Sequence, residues 1–290
     1  MTLPHLTVRG RSLRRDRALI MAIINRTPDS FYDRGANFAD DAALEAVRRA
    51  VAEGADVLDV GGVKAGPGDD VDATEELRRT AGFIGAVREE HPDVVLSIDT
   101  WRAEVARRCL EAGADLVNDT WAGADPRLRD VAAEHGAGFV CSHTGGAVPR
   151  TRPHRVHYDD VVADVISTTT RAAQDLVAAG VPREGILIDP THDFGKNTWH
   201  SLELVRRTDA LVATGWPVLM ALSRKDFIGE TLDLPPEERL EGTLAATAWA
   251  AQAGAAMFRT HDVAATRRVL ETVATIAGDR RPTRTVRGLA

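Results

Sequence analysis

Glu53-Gly-Ala-Asp-Val-Leu-Asp59, Gly113-Ala-Asp-Leu-Val-Asn-Asp119, Gly136-Ala-Gly-Phe-Val140 and Gly254-Ala-Ala-Met-Phe-Arg259 are four versions of one junction. In each, a glycine able to take the left-handed conformation closes a helix, and a short β-rich run begins at once. Working outward, such runs recur along the chain: Leu19–Ile24, Val57–Val60, Val94–Ile98, Leu116–Val117, Gly138–Cys141, Ile186–Ile188, Val218–Leu222 and Ala256–Arg259. They are continuous apolar runs, as parallel strands covered on both faces require. Between them, Ala42–Glu53, Thr74–Glu90, Ala103–Ala112, Asp159–Ala179 and Leu240–Ala253 carry apolar stripes at helical spacing with charges opposite. Eight uniform units without a dividing linker favour one closed α/β domain, a (β/α)₈ TIM barrel, over an open doubly wound sheet. The expected domain covers residues 1–278, with 279–290 as a flexible C-terminal tail.

The composition limits the function classes. With 44% apolar residues the chain can bury a large core, and a net charge of −7 gives no general attraction to nucleic acid or an anionic membrane. Cys109 and Cys141 form no CxxC pair, so neither a zinc site nor a disulfide framework is indicated, and a reduced cytoplasm is expected. Arg9, Arg11, Arg14, Arg15 and Arg17 are followed by no long apolar region with a small-residue cleavage site, so no secretory signal is expected. Leu19–Ile24 is far too short to span a bilayer.

Polar residues stand at the end of every β run: Asn25, Asp59, Asp99, Asn118 with Asp119, His143, Asp189, Ser223-Arg224-Lys225, and Arg259 with His261. Any one could simply cap a loop or helix. Barrel closure would bring all of them to one mouth, where such folds place their chemistry. Carboxylates and an amide suit a flat, donor-rich heterocycle, whereas Lys225, Arg259 and His261 offer cationic donors to an anionic leaving group such as diphosphate. A magnesium ion carried by a diphosphate needs only one or two protein oxygens, and Asn25 could supply one. No Ser–His–Asp order and no dense His/Cys/Glu cluster is evident. Asp119 and Asp262 could instead cap helices, Lys196 could be a surface residue, and Trp121 and Trp199 read as packing residues.

Ile24-Asn-Arg-Thr-Pro-Asp-Ser-Phe31, Ser97-Ile-Asp-Thr100, Asn118-Asp119, Asp189-Pro190 with Phe194-Gly-Lys196, Ser223-Arg-Lys225 and Arg259-Thr-His-Asp-Val263 resemble, in order, the motifs of the dihydropteroate synthase family. That family joins a dihydropterin diphosphate to p-aminobenzoate and releases diphosphate. The resemblance implies that Asp99, Asn118, Asp189 and Lys225 hold a pterin ring and that Arg259 stacks on it. It implies diphosphate at Asn25, Arg259 and His261, with Mg2+ on Asn25. Phe31 and Asp33 would close over the site, with Asp33 and Lys225 as the catalytic residues. A homodimer through the outer helices would follow too.

The chain departs from that pattern at four places. The family's Gly-Glu-Ser-Thr-Arg-Pro-Gly loop is here Gly62-Val-Lys64-Ala-Gly66-Pro-Gly68, and Met-His-Met is Ser142-His143-Thr144. Asp-Pro-Gly-Ile-Gly-Phe-Gly-Lys becomes Asp189-Pro-Thr-His-Asp-Phe-Gly-Lys196, and the serine expected to meet the p-aminobenzoate carboxylate is Asp226. The altered second-substrate site is thus centred on Lys64, Gly66 and Asp226. The expectation is a homologue that binds a small pterin diphosphate-like ligand, with weak or no synthase activity. A working synthase and a non-catalytic ligand- or partner-binding barrel are the alternatives. A pterin-dependent methyltransferase has less support, because nothing suggests a cobalamin-binding module.

Overall fold

The computed structural model describes residues 6–13, 15–27, 40–151 and 157–287. A short antiparallel hairpin, β1 (Leu6–Val8) and β2 (Arg11–Leu13), precedes eight parallel strands. These are β3 (Leu19–Asn25), β4 (Val57–Gly61), β5 (Val95–Asp99), β6 (Leu116–Asp119), β7 (Gly138–Ser142), β8 (Ile186–Asp189), β9 (Leu219–Ala221) and β10 (Met257–Thr260). The sheet runs β8-β7-β6-β5-β4-β3-β10-β9. A parallel bridge between Ile188 and Val218 joins its two ends, so the sheet closes into a barrel. The expected strands therefore exist, most of them extended by one or two polar residues at the C-terminal end.

The outer layer contains α1 (Asp40–Glu53), α2 (Ala73–Glu90), α3 (Ala103–Glu111), α4 (Leu128–Glu134), α5 (Val161–Ala178), α6 (Thr198–Arg206), α7 (Thr208–Val212), α8 (Asp226–Leu232), α9 (Leu240–Gln252) and α10 (Val263–Ala277). Caps set several starts. The Asp72 carboxylate accepts the Glu75 N–H ahead of α2, and Asp160 accepts from Val162 and Ala163 ahead of α5. Among the described residues no helix is long and apolar enough to cross a membrane.

Alternation along the strands builds two layers. Ile20, Leu58, Leu96, Val117 and Ile188 face the helices in the main apolar cluster. Leu19, Met21, Val57, Val95, Leu116, Val140, Leu187, Leu219 and Met257 form a second cluster inside the barrel. Leu6, Val8 and Leu13 of the hairpin join that inner cluster and plug its N-terminal end. A side chain at Gly138 would meet Val8 Cγ1 at 2.5 Å, so glycine there lets the hairpin close the barrel floor.

The repeated Gly-Ala-Asp has a physical reason. Asp56 accepts the Ile20 N–H across the strand gap at 2.9 Å, and Asp115 accepts the Leu96 N–H at 3.0 Å. The basic N-terminal stretch neutralises these buried carboxylates. Arg15 and Arg17 pair with Asp56 at 2.7 Å each, and Arg11 pairs with Asp115 at 3.1 Å. Within the stretch expected to be a tail, Arg280 pairs with Asp16 at 2.7 Å.

With the floor apolar, the remaining inward positions lie toward the strand C-termini, where they are largely polar. Register sets Asn25 beside Gly61, Gly61 beside Asp99, and Asp99 beside Asn118. Ser142 pairs with Asp189 in the same way.

Candidate functional site

At the C-terminal mouth lies a cavity of about 480 Å3, a size suited to a small ligand. Asn25, Asp99, Lys225, Arg259 and His261 line it, as do Lys64, Gly66 and Asp226 of the altered side. Asn118 and Asp189 stand behind this surface, 2% and 4% exposed. Phe31 and Asp33 lie outside the described residues.

Arg259 organises one wall. Its Nε donates to Asp59 Oδ2 at 2.6 Å and an Nη donates to Asp99 Oδ2 at 2.8 Å. Asp59, fully buried, also accepts from Ser97 Oγ at 2.5 Å and Asn118 Nδ2 at 3.0 Å. Asp99 accepts from Thr120 Oγ1 at 2.7 Å. Burial pushes the Asp99 carboxyl up to about 7, against the pull of Arg259. Asp189 is likewise raised by burial, and its Oδ1 accepts the Thr191 N–H at 2.6 Å. These groups largely satisfy one another, so a ligand must exchange partners with them to bind.

One expectation and two alternatives change here. His261 was expected to be a cationic donor, but burial and then Arg259 depress its pKa to about 3, leaving a neutral ring whose Nδ1 lies 3.0 Å from Ser223 Oγ. Lys196 is buried rather than on the surface. Its Nζ donates to the carbonyls of His143, Phe194 and Thr191 at 2.7, 3.0 and 3.2 Å, and burial lowers its pKa to about 7. Asp262 makes no side-chain cap but pairs with Arg224 through two 2.9 Å bonds.

The opposite wall is the altered Thr191–Lys196 loop. Where the resembled motif has glycines, Thr191 and Asp193 hold φ of +52° and +69°, and Gly195 holds +60°. Such angles strain a β-branched residue most. The Thr191 hydroxyl offsets part of this, accepting the His143 N–H at 3.1 Å and donating to Asp189 O at 3.0 Å. Lys225 Nζ donates to the His192 carbonyl and lies 4.6 Å from the centre of the Phe194 ring. Burial lowers the Lys225 pKa.

Asp226 is the first residue of α8, not its cap; Lys225 holds the cap position without a side-chain bond. The Asp226 N–H donates to Asp193 Oδ2 at 2.7 Å, and its carboxylate accepts from Arg239 at 3.0 Å. The second loop, despite its changed sequence, is tied down. Arg79 reaches Gly62 O at 2.9 Å and Arg150 reaches Asp69 O at 2.5 Å.

Local sequence carried little signal for four contributors. Asp59 was legible as a strand ending but not as the hub of the wall. Trp121 lines the cavity edge-on to Phe194 at 5.2 Å, with its Nε1 unpartnered. Tyr158 donates to Gly195 O at 2.7 Å, holding the altered loop from outside. His143 Nε2 lies 2.6 Å from Asp164 Oδ1, while Nδ1 is buried without a partner.

His143 makes a pH prediction. Burial, then Lys196, depress its pKa to about 4. A depressed histidine contributes stability that is complete above its ordinary pKa of about 6.5 and is lost as pH falls through about 4. The contribution is at most roughly 3 kcal/mol. Urea midpoints at pH 6.5 and 4.5 should fall less for His143→Gln than for the unmodified chain; equal falls would rule the assignment out.

A magnesium ion fits this mouth only in part. Asn25 offers an amide oxygen at the rim, while the described residues hold no group of three or more acidic, histidine or cysteine ligands. Such a donor set suits an ion that arrives with phosphate oxygens of its own.

The pterin binding enzyme family model matches residues 21–261. Inactive dihydropteroate synthase 2 of Mycobacterium leprae is 66% identical over 285 residues, covering 97% of this chain and 98% of its own. The solved structure of Mycobacterium tuberculosis Rv1207 superposes with a TM-score of 0.74 at 54% identity, covering 96% of this chain and all of that one. Yersinia pestis dihydropteroate synthase, solved as a sulfonamide drug complex, gives 0.89 at 34% identity over 95% of this chain and all of that one.

Proposed function

The chain belongs to the pterin-binding enzyme family as a dihydropteroate synthase homologue, and we propose that it keeps the pterin half of that site and lacks the acceptor half. The observation that carries this is the cavity itself. Asn25, Asp99, Lys225, Arg259 and His261 gather on it from four strand ends, whereas its Lys64, Gly66 and Asp226 side holds none of the family motif's Thr, Arg or Ser.

In this reading Asp99, Asn118 and Asp189 accept from and orient a flat pterin ring, and Lys225 and Arg259 stabilise charge as diphosphate departs. Arg259 holds the anion by releasing part of its grip on Asp99. His261, neutral, donates a single N–H to a phosphate oxygen. Asn25 would hold the magnesium, which supplies charge neutralisation to the departing diphosphate. The acceptor side binds p-aminobenzoate weakly, so dihydropteroate synthesis is weak or absent.

A homodimer in the cytoplasm completes the reading. Trp199 on α6, which the sequence suggested as a packing residue, is instead 79% exposed, as is Trp249 on α9 at 58%, and a second copy of the chain would cover such aromatic surface. The barrel domain is taken to end at residue 278, with Arg280 tethering the segment after it to Asp16.

Calorimetric titration with dihydropterin diphosphate tests the pterin half. Binding should be measurable and should tighten about tenfold or more with magnesium, a gain of roughly 1.4 kcal/mol. No binding with or without the metal would leave the non-catalytic, pterin-free reading in its place.

A further inference from the structure

The altered loop brings its own carboxylate to the place where the resemblance puts the second substrate's carboxylate. Asp193 Oδ2 accepts the Asp226 N–H at 2.7 Å, and Oδ1 accepts from Ser201 Oγ at 3.1 Å. Its own N–H donates back to Ser201 Oγ at 3.2 Å. The side chain is thus fixed from α6 and α8 together, and the +69° φ of Asp193 turns it there. We propose that Asp193 is an internal anionic occupant of the acceptor subsite, so that the subsite rejects carboxylates and selects a neutral or cationic second ligand. The proposal rests on the reading of an altered acceptor half.

Burial raises the Asp193 pKa, and Lys225 beside it draws the carboxyl back toward its ionised form. Asp193, Asp226 and Glu230 line the same cavity. Of the cations around the cavity, Lys225 is engaged by the His192 carbonyl, Lys196 by three carbonyls, and Arg239 by Asp226 and the carbonyls of Arg224 and Leu234, while Lys64 of the second loop lines it as well. An incoming carboxylate finds the Asp226 donor occupied and meets like charge at contact distance. Even after solvent screening this costs such a ligand roughly tenfold in affinity or more. A ligand of the same shape without the charge escapes both penalties. A protonated amine gains attraction from all three carboxylates.

p-Aminobenzoate and p-aminobenzamide have nearly the same shape and differ in charge. Calorimetric titration of each into the full chain loaded with dihydropterin diphosphate separates the two effects. The amide should bind at least tenfold more tightly than the benzoate. Asp193→Gly suits the left-handed backbone, and Asp193→Asn keeps an acceptor for the Asp226 N–H while removing the charge. Both should raise benzoate affinity about tenfold and leave amide affinity within a few-fold, with thermal melts confirming that each variant folds.

Equal affinities in the unmodified chain, or a benzoate-to-amide ratio that neither substitution moves, would overturn the proposal alone. A chain that fails to bind the pterin diphosphate overturns the underlying reading, and the proposal falls with it.

Discussion

Replacing Arg259 with alanine is expected to destabilise the protein by about 3–5 kcal/mol, the usual cost of stripping one partner from a buried ion pair. The guanidinium is the only cation hydrogen-bonded to Asp59 among the described contacts, and Asp59 is fully buried. What remains for Asp59 is the Ser97 hydroxyl and the Asn118 amide, which can solvate a carboxylate only in part. For a chain of this size the melting temperature should fall by roughly 5–10 °C. Arg259→Lys should recover a minority of the loss, because one ammonium cannot fork between Asp59 and Asp99.

Adding Asp59→Asn to Arg259→Ala should restore more than half of the lost stability by removing the orphaned charge. A melting temperature within a degree of the unmodified protein for Arg259→Ala would show that the ion pairs contribute nothing net. In the folded variant, diphosphate affinity should fall by about ten- to a hundredfold, the scale of a lost charge-assisted hydrogen bond.

The second large effect is expected at Gly195→Ala. A Cβ there would stand 1.9 Å from the Thr144 carbonyl oxygen and 2.7 Å from its carbon, and both are backbone atoms. The +60° φ adds conformational strain for any residue with a side chain. Relief requires the Thr191–Lys196 loop to back away from the segment after β7. That motion would break the Tyr158 bond to Gly195 O and the Lys196 bond to His143 O. The cost should be about 3 kcal/mol or more, read as a lower urea midpoint with an unchanged slope. An unchanged midpoint would mean that the loop does not rest on that segment.

Much of this architecture was legible in the chain. The helix–glycine–strand junction repeats, and each strand displays its apolar outer face and the floor of the barrel as one apolar run. The polar residues that follow read as strand endings; several of them, such as Asp59, Asp99 and Asn118, lie within the strands. The β1–β2 hairpin escaped notice because its strands are three residues each and its turn, Arg9-Gly10, lacks the Asn-Gly or Asp-Gly signal. The hub at Asp59 depends on Arg259, two hundred positions away, which no local pattern records. Asp193 was visible as a charge added near the pocket, but its bond to the start of α8 follows only from the left-handed turn that strained residues adopt there. Asp226 does not cap its own helix because it is the first helical residue and its carboxylate is held by Arg239.

These findings converge on one claim: the pterin half of the site is kept and the carboxylate-accepting half is not. Formation of dihydropteroate from dihydropterin diphosphate, with magnesium and p-aminobenzoate varied from micromolar to millimolar, tests it most directly. Tritiated p-aminobenzoate followed into product would report it, alongside a calorimetric check that the pterin is bound. The account predicts bound pterin with no turnover, or turnover only at millimolar p-aminobenzoate. Dihydropteroate formed at micromolar p-aminobenzoate with an ordinary turnover number, about 1 per second or faster, would contradict it.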